Sequence, residues 1–462
     1  MNGTDVSAEA AAQVAHLRRT FDSGRTRPLE WRRRQLQGLR RLLVEREPEL
    51  AQALHQDLGK PAVESFVTEL GFTRSEIDHV LSHLSRWMRP TRVRVPMALQ
   101  PARARVEPQP LGVVLVISPW NYPVQLLLAP LCGALAAGNC ALLKPSELAP
   151  ATSKILARLL PEYLDPDAVA VLEGDADTTT ALLEQRFDHV FFTGGTRVAK
   201  IVMAAAARHL TPVTLELGGK CPAIVSDGDL RAAARRIAYA KFINAGQTCV
   251  APDYVLVESS RADELLRHLR EVVLEFFGAD PIASPDYGRI INRKHFERLV
   301  GLLGHGRVHV GGRSNAGQLF IEPTVIVEPA EGSELMDEEI FGPILPVIPV
   351  AGVDAAVQRV RAGPAPLAAY VFTERPDVHR SVENGVRAGA IGINVCAAHL
   401  AVPGLPFGGL GPSGMGAYHG RQSFETFSQL RPVFSKGTWL DTLRVVYPPY
   451  TRAKAEILRR LL

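Results

Sequence analysis

The run Gly112-Val113-Val114-Leu115-Val116-Ile117-Ser118-Pro119-Trp120-Asn121 decides the fold. Its first six residues form an unbroken apolar, mostly β-branched stretch, which predicts a strand buried on both faces. A helical pattern over Val124–Ala137 follows, and Cys140-Ala141-Leu142-Leu143-Lys144 reads as a second strand. Outward from this unit the alternation continues. Strands are predicted at Ala168–Leu172, His189–Phe192 and Val213–Leu217, with helices from about Thr152, from Thr178 and over Val198–His209. Strands separated by helices imply a parallel sheet covered on both faces, with ligands beyond the strands' carboxyl ends.

A second α/β run extends from Pro222 to about Asn394, with strands at Ala223–Val225, Tyr254–Val257, Thr324–Val327, Leu345–Pro349, Ala369–Phe372 and Gly389–Asn394. The fold class is therefore α/β, with two Rossmann-like open parallel sheets. Residues 8–90 read as helices, because Leu36, Leu39, Leu42 and Leu43 recur at helical spacing. Thr91–Val106 reads as an extended segment that needs a partner, and a final extended stretch runs from Val433 onward. The stretch from Pro406 to Gly420 is glycine-rich loop.

Composition bounds the function. The chain has 462 residues, 46% hydrophobic and 22% charged, at a formal charge of +4. That is ordinary globular composition, enough for two or three domains. Arg32-Arg33-Arg34 lies in a helical pattern and reads as a solvated helix face, so no nucleic-acid partner is expected. Five scattered cysteines fit neither a disulfide framework nor a Cys-x-x-Cys metal site, and point to a reducing, cytoplasmic compartment. The 13 histidines show no ligand spacing, so no metal is expected. The start Met1–Asp5 lacks the features of a secretory signal, and the end lacks a hydrophobic tail. Val124–Leu143 imitates a membrane span, but Pro130, Gly133, Gly138 and Asn139 break it into helix, turn and strand.

Polar clusters fall where strands end. Thr193-Gly194-Gly195-Thr196 sits between a strand and a helix, where glycines admit a pyrophosphate or simply make a tight turn; the strict Gly-x-Gly-x-x-Gly fingerprint is absent. Lys144 and Glu147 suit ribose hydroxyls, or a surface helix start. Glu216 is a carboxylate closing a buried strand before two glycines. It is either paired with a cation or held neutral, as a general base working near neutral pH requires. Asn121 offers an amide donor for an oxyanion. Cys249 follows Asn244-Ala245-Gly246, a triplet able to end a helix in left-handed conformation, and so stands on a turn as a buried thiol or a nucleophile. Glu339 and Phe341 could hold a ribose and a planar ring, or form an acidic turn with a buried Phe.

Five separated motifs then agree with one family. Phe242-Ile243-Asn244-Ala245-Gly246-Gln247-Thr248-Cys249 resembles the cysteine motif of NAD(P)-dependent aldehyde dehydrogenases, and Leu215-Glu216-Leu217-Gly218-Gly219-Lys220 their glutamate motif. Pro119-Trp120-Asn121-Tyr122-Pro123, Lys144-Pro145-Ser146-Glu147 and Glu339-Ile340-Phe341-Gly342-Pro343 match in the family's order. Cys249–Tyr254 and Pro406–Gly420 resemble the class 3 branch of fatty and aromatic aldehyde dehydrogenases. The resemblance implies oxidation of a medium- or long-chain aliphatic or aromatic aldehyde to its acid. Cys249 would form a thiohemiacetal and then a thioester, Asn121 would hold the oxyanion, and Glu216 would activate water.

It further implies that NAD or NADP is bound by Trp120, Lys144, Glu147, Gly194, Gly195, Thr196, Leu217, Glu339 and Phe341, with Tyr122 and His399 at the aldehyde entrance. Gly195 and Ala199 depart from the family pattern at the pyrophosphate loop. Glu147 disfavours a 2′-phosphate that Arg197 could compensate. The implied domains are 1–90 with 108–216 for the cofactor and 217–420 for catalysis. Segments 91–107 and 421–462 would bridge subunits of a homodimer. Glu216 argues against a CoA-acylating enzyme, whose branch lacks that base. Intact Cys249, Glu216 and Asn121 argue against a non-catalytic scaffold.

Overall fold

The computed structural model describes residues 3–461. All five strands expected in the first half form one sheet, in the order 213–216, 189–193, 113–117, 140–144, 169–171. They pair in parallel, for example Val113 opposite Cys140 and Val114 opposite His189. Each of Val113–Ile117 and Cys140–Lys144 is buried, as the unbroken apolar runs require. The distant segment Gly414–Met415 adds an antiparallel strand beside Leu215–Glu216, so the glycine-rich loop closes onto the strand that carries Glu216. The second sheet, in the order 307–310, 324–327, 344–350, 254–258, 222–225, 368–372, 390–393, holds every strand expected there. Arg307–Val310 joins it as an antiparallel edge.

The apolar stretch that imitates a membrane span divides as anticipated. Helix Gln125–Ala137 is buried along its whole length, Gly138 turns the chain at φ 90°, and Cys140–Lys144 enters the sheet. Among the described residues no helix is long and apolar enough to cross a membrane. N-terminal helices at 3–22, 29–45, 47–58 and 71–87 cover this region, with Leu36, Leu39, Leu42 and Leu43 in the core. Ala102–Pro110 pairs with both Thr91–Val93 and Ser428–Lys436 in a separate sheet, which supplies the extended segments' partners.

The end of the chain differs from expectation. The strand stops at Lys436, and Arg452–Leu461 is a helix rather than extended chain. Ala, Lys, Glu, Leu and Arg fill that segment, and their intrinsic helix preference outweighs the Pro448-Pro449 breaker before it.

Candidate active site

Helix Leu230–Phe242 delivers the chain to a strained turn. Asn244, Ala245 and Gly246 follow at φ 53°, 50° and 76°, the left-handed region the Asn-Ala-Gly triplet anticipated. A side chain at Gly246 would strike the backbone of Gly342, so only glycine lets the turn approach the loop carrying Phe341. Ala245 has no such exemption and costs about 1–2 kcal/mol in this conformation. The turn is over-determined by its contacts. Gln247 Nε2 donates to the carbonyls of Asn244 (2.9 Å) and Arg289 (3.0 Å), while its Oε1 accepts from Ile291 N–H at 3.0 Å. Tyr370 Oη donates to Val250 O at 2.6 Å. Cys249 is thereby held, partly exposed, at a place where two cavities meet.

The first cavity, about 350 Å³, lies at the carboxyl ends of the first sheet's strands. Its walls include Trp120, Asn121, Gly194, Gly195, Glu216, Leu217, Glu339 and Phe341 together with Cys249. The second, about 220 Å³, is almost wholly apolar, with Tyr122, Leu126, Ala397, Leu400 and Phe407 beside the same cysteine.

Glu216 ends its strand 2% exposed, and neither carboxylate oxygen has a hydrogen-bond partner among the described residues. The alternative of a paired structural carboxylate is thus excluded there. Burial holds its carboxyl well above the usual range. Asn121 is buried, and its Nδ2 donates to Gln247 O at 3.0 Å, which ties it to the turn before Cys249. Tyr122 Oη and Thr248 Oγ1 share a 2.6 Å hydrogen bond, a second tie.

Burial, then the Glu339 and Glu216 carboxylates, push Cys249 up to about 12, against the backbone N–H groups of Cys249 and Val250. Burial, the largest of these effects, favours the neutral thiol, and the two N–H groups oppose it.

The loop bearing Glu339 and Phe341 is anchored by Lys220, whose ammonium pairs with Asp253 and donates to the carbonyls of Leu335 (3.0 Å) and Glu338 (2.7 Å). Asp253 in turn accepts from Ile340 N–H at 3.0 Å. Burial, then Asp253, raise Glu339 to about 8. Its carboxylate lies over Gly218, where any side chain would collide with it. Helix Thr196–Ala207 begins at Gly195 with no side-chain cap, which leaves its first N–H groups open to an anion. An unpartnered carboxylate, a bare helix N-terminus and a glycine-lined wall together fit a dinucleotide.

Other expected residues lie further out. Lys144 Nζ donates to Pro145 O (2.8 Å) and Glu147 Oε2 (3.3 Å), beyond the strand neighbouring Val113–Ile117; neither side chain lines the cavity. Thr196 is exposed on the helix's first turn. His399 lies between Ala398 and Leu400, which both line the apolar cavity, with its ring centroid 6.2 Å from that of Phe407. His419 takes a place in that wall, and burial lowers it to about 4. His419 was not anticipated, nor were Val67, Thr68 and Phe72 of the N-terminal helices, nor His295, whose ring is tilted against Trp120 with centroids 5.1 Å apart. Tyr418-His419 lay within the quoted glycine-rich tail; the others sit in segments without a motif.

Comparison with known proteins agrees with this geometry. The family model described as "Aldehyde dehydrogenase family" matches residues 2–433. Aldehyde dehydrogenase family 3 member B1 of Rattus norvegicus is 48% identical over 448 residues, covering 96% of each chain. Aldehyde dehydrogenase family 3 member I1, chloroplastic, of Arabidopsis thaliana is 47% identical, over 98% of this chain and 84% of that one. Among solved structures, the substrate-bound Staphylococcus aureus AldH superimposes with a TM-score of 0.95 at 41% identity, over 97% of this chain and 98% of that one. The P. syringae indole-3-acetaldehyde dehydrogenase AldA in complex with NAD+ does so at 0.86 and 28% identity, over 93% and 89%. With the likeness running through both sheets and the turn at Cys249, the chain belongs to the aldehyde dehydrogenase family.

Proposed function

We propose that Cys249, Glu216 and Asn121 carry the reaction of this NAD(P)-dependent aldehyde dehydrogenase, which oxidises an aldehyde to its carboxylic acid. The supporting observation is the position of Cys249 between an apolar cavity and a polar one that holds an unpartnered carboxylate. An apolar aldehyde enters beside Tyr122, Leu126 and Phe407, which favours medium- or long-chain aliphatic and aromatic substrates. Sγ adds to the carbonyl carbon as its proton passes to solvent water. The oxyanion forms between Asn121 Nδ2 and the Cys249 backbone N–H.

Trp120, Gly194, Gly195, Leu217, Glu339 and Phe341 would hold NAD or NADP, with Lys144, Glu147 and Thr196 toward its adenosine and pyrophosphate end; the cofactor supplies the hydride acceptor. Cys249 is then left as a thioester. Glu216 takes a proton from water, the oxygen adds to the acyl carbon, and the thiolate leaves as the carboxylate is released. Because burial opposes ionisation of Glu216, this step speeds up as pH rises.

The domain division given above is proposed as well, supported by the two sheets, with Gly414–Met415 crossing back from the second region to the first. A cytoplasmic homodimer is proposed on two grounds. The cysteines are free, and the nine-residue strand Ser428–Lys436 has one unpaired edge among the described residues.

The test is NAD(P)H production from a panel of aliphatic and aromatic aldehydes, with the acid product measured in the absence of CoA. Acid formation that Cys249→Ala abolishes is expected. Strict dependence on CoA, or activity surviving the substitution, would contradict the assignment.

A further inference from the structure

Behind Asn121 lies an ion pair that the reaction scheme does not use. Lys60 and Glu69 are both fully buried. Lys60 Nζ donates to Glu69 Oε1 at 2.5 Å and to the backbone carbonyl of Asn121 at 3.2 Å. The same ammonium stands 4.2 Å from the centroid of the Tyr122 ring. The second carboxylate oxygen of Glu69 accepts from the N–H groups of Val124 (2.8 Å) and Gln125 (3.2 Å), at the start of helix Gln125–Ala137. One pair of charges therefore grips the loop on both sides of its turn. Glu69 belongs to the π-helical turn Phe66–Leu70, a rare conformation often found at functional sites. Its neighbours Val67 and Thr68 line the apolar cavity.

A buried ion pair adds little stability over apolar residues of the same volume, because desolvation offsets the attraction. What this pair adds is a fixed direction for residue 121. The Asn121 carbonyl receives Lys60 Nζ and, at 2.7 Å, Asn244 Nδ2, and its own amide reaches Gln247 O. If that carbonyl turned, the amide would turn away with it, and an oxyanion donor acts only where it is already aligned.

We propose that Lys60 and Glu69 are positioning residues that hold the Asn121 amide in register with Cys249 Sγ; this rests on the assignment of Asn121 as the oxyanion donor. The test is a cycle of four proteins: the parent, Asn121→Ala, Lys60→Met/Glu69→Gln, and all three substitutions together. The double substitution removes both charges of the pair together; Glu64, which Lys60 also favours in its ionised form, keeps its hydrogen bond from Asn244 N–H. The charge-free pair should lower kcat by about 10- to 100-fold, the scale of a misplaced reacting group, with KM for the cofactor unchanged. In the Asn121→Ala background it should cost nothing further, since residues acting as a unit are not additive. A folded charge-free variant with the parent kcat would overturn the proposal. So would a loss that multiplies in full with that of Asn121→Ala. If Asn121→Ala alone kept the parent kcat, the oxyanion assignment itself would fall, and the positioning role with it. Should the charge-free variant not fold, Glu69→Gln alone enters the same cycle with the same outcomes, its amide oxygen still accepting from Val124.

Discussion

The two cavities that meet at Cys249 are built in opposite ways. The larger is walled by carboxylates and backbone: Glu216, Glu339, Gly194, Gly195 and Gly218, with Trp120 and Phe341 as flat apolar faces. The smaller is walled by Tyr122, Leu126, Val250, Leu400 and Phe407, drawn from segments far apart in the chain. Polar groups in the first can move protons and bind a charged ligand. The second can only exclude water and select by shape. The sulfur between them therefore takes its reactivity from one side and its substrate from the other.

Substitutions should separate the two sides. The largest effect belongs to the shared atom: Cys249→Ala should reduce NAD(P)H production by more than about 10⁴-fold, the scale of losing a nucleophile. On the polar side, Glu216→Gln should slow steady-state turnover by about 10²–10⁴-fold, the range for a general base. Its first turnover of NAD(P)H should survive as a burst, because the base acts after oxidation. Glu216 is held neutral by burial, so the parent's turnover should climb with pH into the alkaline range and the variant's should not. A variant with the parent's pH profile would remove Glu216 from the scheme.

On the apolar side, Leu400→Trp should leave small aldehydes almost unaffected and lower kcat/KM for bulky ones by about 10- to 200-fold. A uniform loss across the panel would show that this cavity does not select substrate.

The smallest effect is on stability. Glu76 sits behind the apolar wall, accepting from Gly420 N–H at 2.6 Å, and burial raises it from 4.5 to about 7. Between those values the folded chain binds more protons than the unfolded one, so this contribution to stability is full below pH 4.5 and is lost as pH rises through about 7. Glu76→Gln should flatten the fall in Tm over that window. An unchanged slope would contradict the burial argument.

The same contrast explains what could be read in advance. The polar side rests on short contiguous motifs: Thr193-Gly194-Gly195 and Leu215-Glu216-Leu217 end strands, and Glu339-Ile340-Phe341 leads into one, whose apolar runs are plain in the sequence. Both parallel sheets were legible for that reason, as was the left-handed turn at Asn244-Ala245-Gly246. The apolar side was not legible. Val67, Phe72 and Leu400 are ordinary hydrophobes whose facing positions depend on tertiary packing. His419 likewise reaches the wall only through packing, its ring stacked on Phe407. The ionisation of Cys249 was also out of reach, since it depends first on burial and then on carboxylates contributed by two distant segments. Helix Arg452–Leu461 contradicts the reading of everything from Val433 onward as one extended stretch, which holds only to Lys436.

One measurement tests the central claim most directly: mass spectrometry of the Glu216→Gln protein after incubation with NAD(P)+ and an aliphatic aldehyde. The account predicts that an acyl group accumulates, as a thioester, on the peptide bearing Cys249, because oxidation proceeds and hydrolysis stalls. An absent adduct, or one carried by another cysteine, would contradict it.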